Sequence, residues 1–382
     1  MSSRPSQIVY LGPFRLPDLN AAAQRVLANA KGLRQLGHDV VLAETGTVDG
    51  RGGPIERLPA VEGFTCYRLP MNQRPVLDSP QLSIRQIADL CDALDSPRAV
   101  IAYNYPAVAL TRLSAYCRRR GIACGADVTE WYGTSHLASR AAQAMKWTDT
   151  TLRMKVVHRR LDALVVISRF LENTYHGRKV PCVVRIPPLV DADTPKWHRS
   201  PEEPLTSELR LVYAGSPSAE KERLDATVAA VVTASQSVPI HLDVVGVTSG
   251  QFQQIYPSVP LPSRELVTFH GRVSHEEALG WVAQADFSVI ARDRSRVTDA
   301  GFPTKFVESI TLGTPAVVTP HPDLTEILAD GQMGTVVPLD GLDRTLVDLH
   351  TDRWREVDRK FFDHRRYQAE FSALSAGLGL PV

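Results

Sequence analysis

Twelve short runs of β-branched and aliphatic residues, each of strand length, alternate with stretches of helical periodicity along this chain, and that grammar leaves few folds open. In the first half they are QIVYLG (7–12), DVVLAE (39–44), AVIAYN (99–104), IACGADV (122–128), ALVVIS (163–168) and CVVRI (182–186). In the second they are LRLVYAG (209–215), IHLDVVG (240–246), LVTFHG (266–271), FSVIA (287–291), PAVVTP (315–320) and GTVVPL (334–339). Between the first two runs, Val26, Leu27, Ala30, Leu33 and Leu36 recur at near-helical spacing, closed by Gly37 as a residue past the helix end. Strands covered on both faces read as continuous apolar runs, so each half is expected to be a parallel sheet wrapped by helices.

A chain of 382 residues with 43% apolar content can fill two such cores. The stretch 191–208, DADTPKWHRSPEEPLTSE, is rich in Pro, Ser and charge without apolar period and reads as a linker. The expected domains are 1–195, 196–355 and a helical segment, 356–382, that packs back on the first. Net charge is +1, yet residues 1–195 carry 25 basic against 17 acidic side chains and the remainder 18 against 25. So small a total argues against a nucleic-acid partner. Five scattered cysteines without a CxxC pair support neither a zinc site nor a disulfide framework. No apolar run of spanning length and no signal-peptide h-region occur, so a cytoplasmic protein is expected.

Ligands of doubly wound sheets bind beyond the carboxyl ends of the strands. The first such loop, Gly12-Pro13-Phe14-Arg15, lacks GxGxxG, and GxxxxGK[ST], GxSxG and HExxH are absent throughout, which argues against nicotinamide, P-loop and common hydrolase chemistry. The informative string is Asp299-Ala300-Gly301-Phe302-Pro303-Thr304-Lys305-Phe306-Val307-Glu308. It follows the run FSVIA and opens a helix whose first amides, with Lys305, suit a diphosphate, while Glu308 lies one turn inside and suits a ribose diol. Taken alone, Pro303 reads equally as an ordinary first helical residue.

Five segments in order carry a resemblance over nearly the whole chain: Gly12 with AAAQRVLANAKGLRQLGHDVVL, VVISRFLENTY (165–175), LVYAGSPSAEK (211–221), VTFHGRVSHEEALGWVAQADFSVI (267–290) and FPTKFVESITLGTPAVV (302–318). Together they resemble the retaining glycosyltransferases of family 4, whose GT-B architecture sets two doubly wound Rossmann-like α/β domains facing across a cleft. The resemblance implies transfer of a sugar from a nucleoside diphosphate sugar to a glycan or lipid-linked acceptor, as in cell-surface polysaccharide or glycolipid synthesis. It implies no cofactor and no metal. Lys221 matches the basic residue that reaches the donor diphosphate, in a loop opened by Gly215 and Ser216. Lys305 and Thr304 match further diphosphate contacts, Arg272 lies in the turn that holds the base, and Glu308 is the second glutamate of E-x7-E. The first glutamate falls on Ala300, so Asp299, or backbone groups of Gly301 and Phe302, take its place.

For the first domain the resemblance implies the acceptor site in the loop Asp127-Val128-Thr129-Glu130-Trp131-Tyr132-Gly133. Asp127 or Glu130 would face the reacting sugar, with Trp131, Tyr132 and His136 as acceptor contacts and Gly12 letting the first loop approach the ligand. Two other readings stay open: a nucleotide-sugar epimerase on the same architecture, and an inactive glycosyltransferase-like partner, suggested by Ala300. Last, Arg118, Arg119 and Arg120, and a run of Arg153, Lys155, His158, Arg159 and Arg160 beside Met145, Trp147, Leu152 and Met154, suggest peripheral attachment to an anionic membrane surface.

Overall fold

A computed structural model describes residues 5–17, 20–46, 53–70, 83–94, 97–133, 139–177, 180–198, 206–215, 222–354 and 356–381. The chain divides into two compact units, one of residues 1–190 with 364–382, the other of residues 191–363.

The first unit holds an eight-stranded sheet. Its strands are β1 (Gln7–Gly12), β2 (Asp39–Thr45), β3 (Glu56–Val61), β4 (Phe64–Leu69), β5 (Ala99–Tyr103), β6 (Ala123–Val128), β7 (Ala163–Val166) and β8 (Val183–Arg185). They lie in the order β3-β4-β2-β1-β5-β6-β7-β8, parallel except for the antiparallel β3–β4 hairpin at one edge. The sequence reading misses that hairpin. Its outer strand, ERLPAV, is mostly exposed and carries Pro59, which an edge strand tolerates but a buried apolar run does not show. Ile8, Val9, Tyr10 and Leu11 are wholly buried, as a central strand covered on both faces requires.

The helix Ala21–Gln35 follows β1. Asn20 caps it by accepting a hydrogen bond from the Ala23 amide, and Gly37 beyond its end is left-handed at φ +86°. Chain end and chain start meet there, because the helix Gln368–Gly377 lays Phe371 across Gly32 so closely that a Cβ would fall 2.0 Å from the ring. Burying Phe371 is worth roughly 1.5–3 kcal/mol, which a side chain at position 32 would forfeit.

The second unit holds six parallel strands: β9 (Leu209–Ala214), β10 (Ile240–Val245), β11 (Val267–Gly271), β12 (Phe287–Ile290), β13 (Ala316–Val318) and β14 (Gly334–Val336). Their order is β11-β10-β9-β12-β13-β14. Each sheet therefore reverses direction once, between β1 and β5 in the first and between β9 and β12 in the second. Such a reversal leaves a crevice at the carboxyl ends of the two strands, since their connections run to opposite sides. Among the described residues, no helix is long and apolar enough to cross a membrane.

Candidate functional site

At the reversal of the second sheet, Gly215 follows β9 and Arg292 stands two residues beyond β12. The helix Thr304–Leu312 points its start here, with Pro303 at the cap position and no side chain capping the amides. Lys305, its second residue, donates to Oε2 of Glu222 at 2.6 Å and lies 4.1 Å from the centroid of the Tyr213 ring. A Cβ on Gly215 would come within 2.9 Å of the Lys305 amine, so this position must be glycine for the lysine to reach its place. Arg292 binds the other oxygen of the same carboxylate, Nη2 at 2.6 Å and Nε at 3.2 Å. The Tyr213 hydroxyl completes the set, donating to Oε2 at 2.5 Å.

One carboxylate thus holds two cations, one from a loop and one from a helix start. Burial pushes the Glu222 carboxyl up, but the charges of Lys305 and Arg292 outweigh it and bring it down to about 2. For Lys305 burial prevails and lowers the ammonium, while Glu222 supports the charged form. The pair is nearly enclosed, at 14% exposure for Lys305 and 6% for Glu222. A net positive charge remains on the cluster, in a place where a helix start adds its own partial charge.

Glu308 sits one turn further along the same helix, partly buried, with Nε2 of His275 at 3.1 Å from its Oε1. Arg272 is exposed in the turn that precedes the capping box of Ser274 and Glu277. Thr304 is half-buried beside Lys305. Phe302 belongs to an aromatic core with Phe306, His321 and Phe362, so only its backbone and that of Gly301 can meet a ligand. Asp299 does not stand in for the missing glutamate. Arg294 forks its carboxylate at 2.7 and 2.9 Å, and Ala300 beside it is fully buried. Lys221 and Ser216 lie outside the described residues, as does His136.

The first domain corrects a second expectation. Asp127 is fully buried, and its oxygens accept from Arg25 Nε and Nη2 at 2.8–3.0 Å and from the Tyr10 hydroxyl at 2.6 Å. Arg25 spends Nη1 on the carbonyls of Ile186 and Pro187. Asp127 is a strut tying β1, β6 and the first helix together, and its lone pairs are already taken. Gly12 has a packing reason as well, since a Cβ there would lie 2.7 Å from that of Tyr103 in β5. Beyond β6, Glu130 is half-buried and Trp131 meets Phe170 edge to face. The Tyr132 ring has Lys146 Nζ 3.7 Å and the Arg153 guanidinium carbon 5.1 Å from its centroid. Burial, with Glu130 adding, pushes the Tyr132 hydroxyl up to about 12.

The basic run read as a membrane face is also divided by the fold. Arg153, Met154 and His158 are buried, whereas Lys155, Arg159 and Arg160 are exposed. Met145 and Trp147 stand out at 64% and 63% exposure on the helix Arg140–Leu152.

The sequence reading overlooks Glu222, Arg292 and Lys146, and it places the buried Arg153 in a basic surface run. Arg292 was within reach, because it follows a strand by the same rule that singled out the other loops. Glu222 was not, for its partners stand 70 and 83 residues away.

Two family descriptions match the chain, "Glycosyl transferase 4-like domain" over residues 20–188 and "Glycosyl transferases group 1" over residues 208–352. The chain is a glycosyltransferase of GT-B type. Its two matches fall one in each parallel sheet, so the Glu222–Lys305–Arg292 cluster lies in the group 1 domain of this glycosyltransferase and the Asp127 strut in the other. No curated protein sequence matches the glycosyltransferase. Solved structures share its fold at low identity. The pneumococcal O-GlcNAc transferase GtfA, in complex with UDP and GlcNAc, superposes with a TM-score of 0.63 at 11% identity, covering 98% of this chain and 99% of its own. HepE from Anabaena, in complex with UDP and glucose, gives 0.61 at 12%, covering 96% and 98%. Sucrose-phosphate synthase from Thermosynechococcus elongatus gives 0.60 at 15%, covering 98% and 96%. Among the described residues, no group of three or more His, Cys, Asp and Glu is placed to hold a metal ion.

Proposed function

We propose that this glycosyltransferase moves a sugar, with retention of configuration, from a nucleoside diphosphate sugar to a glycan or lipid-linked acceptor. The observation that carries the reading is the pair of cations, Lys305 and Arg292, converging on one buried oxyanion beside an uncapped helix start at the sheet reversal. Glu222 binds both cations there, and the donor diphosphate is the external anion that suits the same seat. As the bond from the anomeric carbon to the phosphate oxygen breaks, its electron pair leaves on the diphosphate. Fixed cations bind that developing charge more strongly than the intact donor, which lowers the barrier. The acceptor oxygen forms the new bond on the same face, and its proton passes to the departing phosphate oxygen.

Lys221 and Thr304 extend the diphosphate contacts, Glu308 takes the ribose hydroxyls, and Arg272 with its turn borders the base. Glu130, Trp131, Tyr132 and His136 serve the acceptor, and no metal is required where side chains carry the charge. The HepE and GtfA structures are complexes with UDP, which makes UDP-sugars the first donors to try. The exposed Met145, Trp147 and Val156, with Lys155 and Arg159, suit attachment to an anionic membrane at its inner face. Co-sedimentation with anionic vesicles that fades as salt rises tests that arm.

The decisive experiment is calorimetry of UDP against the full chain, followed by turnover of UDP-sugars. Binding near micromolar Kd that is lost in Lys305→Ala supports the reading. Absence of binding by every nucleoside diphosphate tested overturns it, and binding without any sugar release identifies an inactive partner, for which the buried Ala300 is the motive.

A further inference from the structure

Arg153 is the most anomalous charge in the first domain. It opens the π-helical turn Arg153–Val157 after the helix Arg140–Leu152, and it retains only 2% exposure. Nη1 donates to the carbonyls of Asn104 and Tyr105 at 3.2 and 3.4 Å, whereas Nε and Nη2 have no partner of good hydrogen-bond geometry and the guanidinium reaches only towards the Tyr132 hydroxyl. Among the described residues no carboxylate forms an ion pair with it. Asp149 spends an oxygen on the amide of Ala107 at the start of the helix Ala107–Arg120, and both Asp149 and Glu130 bear on Tyr132 and Lys146. Buried cations are ordinarily paired, and an orphaned guanidinium N–H signals a missing partner.

Its position says what kind of partner. Asn104, at φ +44°, follows β5 on the reversal of the first sheet, and its side chain is pinned to Thr129, by Nδ2 to Oγ1 at 2.5 Å and by the Thr129 amide to Oδ1 at 3.1 Å. Arg153 therefore stands on rigid backbone where a doubly wound sheet takes its ligand. Lys146, half-buried, shares the face of the same tyrosine ring and carries no ion pair of its own among the described residues. Two cations around one ring, one deep with a planar fork still vacant and one near solvent, fit a tetrahedral dianion better than a neutral hydroxyl or a single carboxylate.

We propose that Arg153 and Lys146, both packed against the Tyr132 ring, form a seat for a phosphoryl group. Its assignment to the acceptor, which would then be a phosphorylated sugar or a phosphate-bearing lipid, rests on the glycosyl-transfer reading. The seat itself does not.

The test uses the full chain carrying Lys305→Ala, which removes a cation of the second domain's own seat, and titrates inorganic phosphate by calorimetry up to about 10 mM. Phosphate is expected to bind, and adding Lys146→Gln or Arg153→Gln is expected to weaken it at least about tenfold. Arg153→Gln risks the fold; Lys146→Gln, at a half-exposed position, keeps the experiment decisive provided its melting temperature is unchanged. Equal phosphate binding with and without Lys146, or none at all in the Lys305→Ala chain, overturns the proposal. Parallel arms with vesicles of phosphatidic acid and with glucose 6-phosphate identify the carrier: Lys146-dependent binding of the vesicles makes it a lipid, of the sugar phosphate a soluble acceptor. Lys146-dependent phosphate binding in a wild-type chain that transfers no sugar preserves the seat and removes its acceptor role. Sugar transfer without Lys146-dependent phosphate binding discards the seat and leaves the transferase reading intact.

Discussion

Asp127 and Glu222 are built alike and do opposite things. Each is a buried carboxylate near the carboxyl end of a strand, holding a tyrosine hydroxyl from the first strand of its sheet, Tyr10 in one case and Tyr213 in the other. Asp127 answers a single arginine, whose remaining donors are spent on two carbonyls, so the cluster is neutral and closed. Glu222 answers two cations, at 14% and 18% exposure, and leaves the cluster with a net positive charge at the edge of the domain. The number of cations per carboxylate, more than burial, separates a strut from a seat that an outside anion can use.

The largest effect that would break this contrast is in the strut. Asp127→Asn keeps the shape but leaves Arg25 as an uncompensated buried charge, which should cost about 3–5 kcal/mol of stability in chemical denaturation. A loss below about 1 kcal/mol would place Asp127 among surface pairs and undo the comparison. In the seat, Arg292→Ala and Lys305→Ala should each lower kcat/KM by about 10²–10³, equivalent to some 3–4 kcal/mol, with the donor-hydrolysis or transfer assay as readout. Rates within about twofold of wild type would make the cluster a second strut.

Acid tests the Glu222 cluster next. The folded Glu222 carboxyl at about 2 lies below the ordinary 4.5, so protons favour the unfolded chain. Its contribution, about 3 kcal/mol, is fully present above about pH 4.5 and is lost as pH falls towards about 2. His321, lowered by burial to about 4 from 6.5, acts in the same direction, its contribution draining between about pH 6.5 and about 4. Urea denaturation across that range should show the Glu222 step disappear in Glu222→Gln while the His321 step persists. Smallest is Glu308→Gln, which should weaken UDP binding by about 1–3 kcal/mol, because the amide keeps the shape and loses the charged acceptor. An unchanged Kd by calorimetry would remove Glu308 from the nucleotide site.

Much of the site was legible as pattern. The run 302–308 announced a helix start carrying Lys305 and Glu308 on successive turns, because residues three apart share a helix face whatever surrounds them. The role of Asp127 was not legible. Its place after an apolar run is also that of a ligand-facing acid, and only Arg25, 102 residues earlier, makes it internal.

The residues by themselves determined the two parallel sheets, since local period and continuous apolar runs dictate strands covered on both faces, and neither depends on distant partners. They missed the β3–β4 hairpin, whose exposed edge strand lacks such a run. What the tertiary structure alone decided is the state of each charge. Arg153 and Lys155 lie two residues apart, yet one is enclosed with two nitrogens lacking partners and the other is exposed. Burial and pairing are sums over neighbours from several strands and helices, and no local window of sequence contains those neighbours.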